Sequence, residues 1–537
     1  MPTSYISFKE TGYFSNLICD YLDQKESLHP FYNRFPSIEN FKAQIEEKKA
    51  VFPQENRNVL VEVLKDQYHD IGPSEITKNN VELLKSTSTF TVVTGHQLNL
   101  FTGPLYFLYK IVSTINLTKQ LKEAYQDSDF VPIYWMATED HDFDEINYFN
   151  FHGKKFQWQG PDTKESSGAV GELPTKGLDQ VFELFCQDIG MGADAQTLRT
   201  WFEEAYLKHN NLTDATRYLV NRMFGDEGLV IIDAADKRLK SLFVPYMKSE
   251  LFEQSSQKYV DETIEALNEI DPSYKIQVNP RAINLFYLDK GLRERIVETD
   301  GKFSVNETDI FWNKKELQQH LEEHPERFSP NVMTRPLYQE VILPNLCYIG
   351  GGGELAYWLE LKSFFDSVKV PFPALLLRNS VLTVTEKQAK KLDKLSITFS
   401  QLFLKRHSFI NRKVREISNI DINFKDQKKH LEEQFQEMYR LAEVTDKSFL
   451  GAVKAQEVKQ LKGLDKLEKR LLKAQKQKLS DQVSRITDLQ NELFPNESLQ
   501  ERTDNFANIY EEYGETFIKT LLKELDPLKA KFVILVV

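Results

Sequence analysis

The residues of this 537-residue chain that are best suited to chemistry fall in three short stretches. The first is Thr94-Gly95-His96-Gln97-Leu98-Asn99-Leu100-Phe101-Thr102-Gly103-Pro104. Gly95 and Gly103 let the backbone come close to a ligand, and the helix expected next offers free N–H groups at its start. His96 and Gln97 could bond to a phosphate or to a leaving oxygen. A turn with Thr102 as cap and Pro104 at the first helical position explains the glycines and the proline equally well. It does not explain His96-Gln97 directly after a buried strand.

The second stretch is Thr138-Glu139-Asp140-His141-Asp142-Phe143-Asp144-Glu145, six of whose eight residues are ionisable. Carboxylates beside a histidine raise its pKa, fix its tautomer and can hold a divalent cation. No standard ligand spacing is matched, and a solvated acidic turn has the same composition. The third is Cys347-Tyr348-Ile349-Gly350-Gly351-Gly352-Gly353-Glu354. Four glycines ahead of a helix make an anion nest, without the lysine of a Walker A loop, and Glu354 suits the positive end of the helix. Upstream, Arg335 could bind a carboxylate or phosphate bidentately, or could sit in a surface ion pair.

These stretches need strands to position them. Residues 90–93 (FTVV), 130–137 (FVPIYWMA), 228–233 (GLVIID), 346–349 and 374–377 (ALLL) are short, continuous apolar runs, and 104–121 is amphipathic. Such runs separated by helices read as buried parallel strands of one doubly wound α/β sheet, which binds ligands at its strand ends. Residues 146–158 and 275–305 read instead as antiparallel hairpins, within insertions at about 146–160 and 275–330. The expected organisation is an N-terminal helical segment (1–85), a Rossmann-like core (86–385), an antiparallel α-helical coiled coil (386–500) and a C-terminal helix and strand (501–537). Leu431, Phe435, Met438, Ala442, Thr445 and Phe449 follow coiled-coil spacing, as do Leu464, Leu467, Leu471 and Ala474. Breaks are expected near 419–424 and Gly451. The terminal KFVILVV is expected to pair into the main sheet, since a bare apolar edge cannot stand in water.

Composition excludes other classes. With 41% apolar residues the chain can build a core, and its net charge of −12 attracts no polyanion. Residues 447–485 are locally basic, by 11 Lys and Arg to 4 Asp and Glu; this fits a solvated coiled-coil face or a phosphate-binding stripe. Three widely spaced cysteines form no disulfide or zinc pattern, and no apolar run approaches the roughly 20 residues of a membrane span. The expectation is a cytoplasmic protein with neither nucleic acid nor membrane as partner.

The stretches TGHQLNLFTGPLYFLYK (94–110), PIYWMATEDHDFDEIN (132–147), SPNVMTRPL (329–337), GGGGELAYWLELK (350–362) and LFPNESLQER (493–502) together resemble the cysteine ligase family of bacillithiol biosynthesis. The resemblance covers essentially the whole chain. It implies a core like that of class I nucleotidylyltransferases and a coiled coil that pairs two subunits as a homodimer. It also implies ligation of cysteine to the amine of glucosaminyl-malate. His96 and the all-glycine run depart from the family's usual pattern, which more often has Gly-Gln-Gln in the first motif and a proline in the second. Under this reading Gly95, His96, Gln97, Thr102, Gly103 and Lys110 hold ATP phosphates. Asp140, His141, Asp142, Asp144 and Glu145 bind the amine or Mg²⁺, or act as base. Arg335 and Gly350, Gly351, Gly352 and Gly353 hold the malyl carboxylates, with Glu354 expected beside them among the substrate- or nucleotide-binding residues. Asp140, His141, Asp142 and His96 are the expected catalytic residues. A nucleotidylyltransferase acting on another small molecule and a non-catalytic coiled-coil scaffold are the other readings of the same sequence.

Overall fold

The computed structural model describes residues 3–161 and 168–537, so of the segment 1–85 only Met1 and Pro2 lie outside the described residues. Its centre is a five-stranded parallel sheet of β1 (Thr89–His96), β2 (Asp129–Met136), β3 (Val230–Asp233), β4 (Asn345–Gly350) and β5 (Ala374–Leu377). The spatial order is β3-β2-β1-β4-β5, with every neighbouring pair parallel. Chain order reverses direction between β1 and β4, and such a switch point opens a crevice at the carboxyl ends of its two strands. Four of the five strands lie where apolar runs predict them. β1 runs farther than 90–93, pairing with β2 from Thr89–Asp129 to His96–Met136, so Gly95 and His96 belong to the strand.

Helix α1 (Tyr106–Ala124) packs on β1 and β2. The helix at Glu515–Glu524 packs on it from elsewhere, and every residue from Phe107 to Thr118 is buried. A helix covered on several sides has no room for the polar stripe of a surface helix. Two further helices flank the switch point, α2 (Thr334–Ile342) and α3 (Gly352–Leu359).

The insertions are antiparallel as expected. One is the hairpin Tyr148–Phe151 with Lys154–Gln157. The other is a five-stranded sheet from Leu285–Asp289 to Phe328–Pro330, whose first strand begins ten residues after the expected start at 275. Asp300 and Gly301 both have positive φ at one of its turns, as a two-residue type I′ hairpin requires. Aromatic side chains tie insertion to core: the ring of Phe101 lies 5.2–5.5 Å from those of Phe149, Phe185, Phe202 and Phe506.

Two expectations need correction. KFVILVV does not join the main sheet. Phe532–Val536 pairs antiparallel with an N-terminal strand, Thr3–Ile6, and parallel with Val381–Val384, forming a separate three-stranded sheet. The chain leaves the main sheet after β5 at Arg378, Asn379 and Ser380, and its continuation gives the terminal strand an edge to cover.

The second correction concerns the coiled coil, an antiparallel hairpin of α4 (Lys425–Glu443) and α5 (Lys447–Lys478) followed by α6 (Ser480–Leu493). The break at 419–424 is present, but the second falls at 444–446, and α5 runs through Gly451 without interruption. Asp446 caps α5, its carboxylate accepting from Ser448 N–H at 2.8 Å, and a cap specifies a helix start better than one glycine specifies a stop. Phe435, Ala442 and Val453 fill the space between the arms, whereas Met438, Phe449 and Leu467 are 43%, 47% and 50% exposed.

Candidate active site

The crevice between the carboxyl ends of β1 and β4 holds a cavity of about 420 Å³. It joins the first and third stretches through an ion pair of a buried lysine with a part-exposed glutamate. Lys110, on the second turn of α1, places Nζ 2.7 Å from Glu354 Oε2 and donates to the Gly95 carbonyl at 2.7 Å. Glu354 accepts from the Gly351 N–H at 2.7 Å and from the Tyr348 hydroxyl at 2.8 Å. Burial pushes the Lys110 ammonium down, against the pull of the Glu354 carboxylate. Burial alone would raise the Glu354 carboxyl, but Lys110, the Gly351 N–H and Tyr348 together hold it below the usual carboxylate range.

The four glycines divide their work. A Cβ on Gly350 would sit 2.9 Å from both Leu355 and Tyr348, and Gly352 faces Phe14 and Ile18. Gly351 and Gly353 line the cavity. Glu354 takes the Gly351 N–H at the start of α3, and among the described residues no side chain takes those of Gly352 and Gly353, which remain available to an anion.

His96 is 7% exposed, its ring 5.1 Å from Phe107 and 5.3 Å from Tyr106. Burial, followed by the nearby Lys110 and Arg378, pushes its pKa well below the ordinary histidine value, and its Nε2 is buried without a partner among the described residues. A neutral imidazole thus lines the cleft. The guanidinium of Arg335 lies 5.5 Å from the Trp135 ring and 5.6 Å from that of Tyr348. Its Nη1 donates to Gln339 Oε1 at 3.1 Å, and its Nη2 is buried with no hydrogen-bond partner among the described residues. Among the described residues it has no carboxylate partner, so the surface ion pair does not form.

The acidic stretch forms the rim. The Gln97 amide donates to Asp140 Oδ2 at 2.8 Å and to Glu145 Oε2 at 2.9 Å, bridging two carboxylates to the end of β1. His141 differs from the expected carboxylate-flanked histidine. Its Nδ1 faces Arg293 Nη1 at 2.8 Å, closer than Asp140 Oδ1 at 3.5 Å. An arginine can only donate, so Nδ1 accepts and the ring proton sits on Nε2. Asp142 caps the short helix Phe143–Ile146 through the Glu145 N–H at 3.4 Å, and both Asp142 and Asp144 are exposed. Among the described residues, no group of three or more His, Cys, Asp and Glu is arranged to hold a metal ion.

Thr102 and Gly103 lie outside the cavity. Thr102 has φ +67° and Gly103 φ +62°, and α1 starts only at Tyr106, so Thr102 caps no helix. The Asn505 amide holds this loop by donating to the Phe101 and Gly103 carbonyls at 2.8 and 2.6 Å. A Cβ on Gly103 would sit 2.6 Å from Asn99, which is why a glycine is needed there.

Several site residues escape the sequence reading. Arg378, Arg502, Tyr106 and Tyr357 line the cavity. Arg378 directly follows the run ALLL, so the rule that strand ends bind ligands was enough to find it. Arg502 follows no strand and reaches the cleft only through the return of the chain from the coiled coil. Lys240 is a further miss: fully buried, it pairs with Glu139 at 2.8 Å and donates to the Phe328 carbonyl at 2.8 Å.

A 3-2-1-4-5 sheet with a basic, glycine-lined crevice at its switch point defines a Rossmann-type binding core. Residues 1–379 match the family model described as "Bacillithiol biosynthesis BshC, N-terminal Rossmann-like domain", and 381–537 match "Bacillithiol biosynthesis BshC, C-terminal coiled-coil domain". The chain belongs to the BshC family. A relative from Christiangramia forsetii, named "Putative cysteine ligase BshC", is 63% identical across 100% of this chain and 99% of its own. Relatives of the same name from Flavobacterium johnsoniae and Cytophaga hutchinsonii are 58% and 37% identical, over 100% and 97% of this chain and 100% and 96% of theirs. No helix among the described residues is long and apolar enough to cross a membrane.

Proposed function

We propose that this chain is the cysteine ligase of bacillithiol synthesis, joining the cysteine carboxylate to the amine of glucosaminyl-malate at the expense of ATP. The observation that carries this reading is the placement of opposite functions on one crevice. Inside it, His96 Nε2 and Arg335 Nη2 are buried without partners beside the Lys110–Glu354 pair. On its rim, Asp140 and Glu145 are bridged by Gln97. Anionic groups suit the interior, and an ammonium suits the rim.

Amide formation in water needs an activated acyl group. In the proposed sequence a cysteine carboxylate oxygen attacks the ATP α-phosphorus and pyrophosphate leaves; the amine, having lost a proton to the rim, attacks the acyl carbon and AMP leaves. Gly353 at the start of α3 and Arg335 stabilise negative charge, and Asp140 is a candidate base. Asp140 and Glu145 are also the carboxylates that could take an Mg²⁺ carried in on ATP phosphates, since that ion binds through few carboxylates and several waters. The coiled coil pairs two subunits, supported by the apolar Phe449 and Leu467 left exposed on α5. Pyrophosphate exchange with ATP and cysteine, and product formation on adding glucosaminyl-malate, test the assignment. Absence of both overturns it.

A further inference from the structure

One buried donor in the cleft has no role in that scheme. Arg378 is 3% exposed, and its Nη1 and Nη2 grip Glu501 at 3.1 and 2.8 Å. Nη1 also donates to the Asn379 carbonyl at 2.9 Å and to Ser380 Oγ at 3.0 Å. Nε is the exception, buried and without an acceptor among the described residues. It lies beside Gly351, a Cβ on which would be 3.9 Å from it, and both residues line the cavity. The Tyr106 ring, 5.0 Å from Cζ, backs the guanidinium. Arg502 lines the same cavity, exposed, with no hydrogen bond or ion pair from its side chain to a described residue.

Charge bookkeeping separates these groups. Lys110 is matched by Glu354 and Arg378 by Glu501, while Arg335 and Arg502 have no carboxylate partner among the described residues. Two unmatched cations in one cavity call for a ligand with two acidic groups. One has Arg335 to meet it, and the second needs a receiver of its own.

We propose that Arg378 Nε and Arg502 form a second oxyanion subsite, one that takes a carboxylate or phosphate group, with Glu501 as the residue that positions Arg378. This deepens the ligase reading and rests on it. Glu501 and Arg502 follow the coiled coil in sequence, so the subsite is complete only when the returning chain docks on the core. Loss of a hydrogen bond to a charged group costs about 1.5–3 kcal/mol, or roughly ten- to a hundredfold in affinity.

Calorimetric titration of the full chain with L-malate and, separately, with pyrophosphate tests the subsite without any turnover. Arg502→Gln, at an exposed side chain, and Arg378→Lys, which keeps the charge but loses the fork, are both expected to weaken one probe ten- to a hundredfold and to spare the other. Glu501→Gln is expected to weaken the same probe, a selectivity that general loss of packing would not produce. If Arg378→Lys does not fold, the pair Arg378→Gln with Glu501→Gln removes both buried charges together and replaces it. Selective loss of malate identifies a carboxylate subsite, and selective loss of pyrophosphate a phosphate subsite. Unchanged affinities in folded variants, equal loss of both probes, or a native chain that binds neither would overturn the proposal. Intact selective binding without pyrophosphate exchange or product would sink the ligase reading alone.

Discussion

The cleft and its rim are both built from ionisable residues, yet the two are stabilised in opposite ways. In the cleft each buried charge that has a partner has it at close range: Lys110 with Glu354 at 2.7 Å, Arg378 with Glu501 at 2.8 Å. On the rim, Asp142, Asp144 and Glu145 are exposed, and water solvates most of their charge. Removing one member of a buried pair leaves an uncompensated charge and costs about 3–5 kcal/mol, whereas an exposed group contributes about 0–1 kcal/mol. Stability and chemistry are therefore entangled in the cleft and separable on the rim.

The largest expected effect follows from that entanglement. Lys110→Met takes the cation from Glu354, whose side chain is 27% exposed, and urea unfolding should show a loss of about 3 kcal/mol, the low end for a buried pair, together with loss of activity. Adding Glu354→Leu removes the stranded charge and should recover most of the stability but none of the activity. If the double variant is no more stable than the single one, the pair is not what holds β1 to α3.

A buried carboxyl beyond the cleft gives the next effect. Glu360 is fully buried, accepting from the N–H groups of Gln277 at 2.9 Å and Val278 at 3.1 Å, and burial pushes its pKa up to about 7. A carboxyl raised above its unfolded value favours the fold most below the unfolded pKa. That contribution is lost as pH rises towards 7, amounting to about 3 kcal/mol. Unfolding free energy measured from pH 4.5 to 8 should show this decline, and Glu360→Gln should flatten it. A native profile with no such decline would mean that Glu360 is solvated.

On the rim the order reverses. His141→Ala should change stability by no more than about 0.5 kcal/mol, because an exposed ring at a polar edge buries little. It should still lower ligase turnover, since Arg293 and Asp140 both lean on that ring. Unchanged turnover with an intact fold would remove His141 from the chemistry and favour a scaffold role for the rim.

How much of this was legible in the sequence depends on the range of the interaction. Strands β2, β4 and β5 announced themselves as continuous apolar runs, because a strand buried on both faces needs no polar alternation. The stretches at their ends followed from topology alone. What escaped was set by distant parts of the chain. Arg293 reaches His141 from an insertion, and Asn505, across 402 residues of sequence, holds the Gly103 carbonyl. Thr102 read as a cap because local propensity favours it, while Asn505 and the aromatic cluster around Phe101 impose a left-handed backbone there instead. Periodicity likewise carried the coiled-coil seam past the reversal at 444–446, since spacing alone does not record where one helix ends and the next begins.

That reversal sets the smallest effect, and it separates the two accounts of the coiled coil directly. If Gly451 marked the break, a side chain there would disturb the turn. In α5 it is an interior helical position with open space around it. A methyl group added there would have no atom within 4 Å, and Gly451 is absent from the residues with positive φ. Glycine costs a helix about 0.8–1.0 kcal/mol relative to alanine at such a site, largely through the backbone entropy of the unfolded chain. Gly451→Ala should therefore stabilise the hairpin by just under about 1 kcal/mol, read as a higher urea midpoint with an unchanged slope. A lower midpoint would restore the break at Gly451 and move the turn away from Asp446.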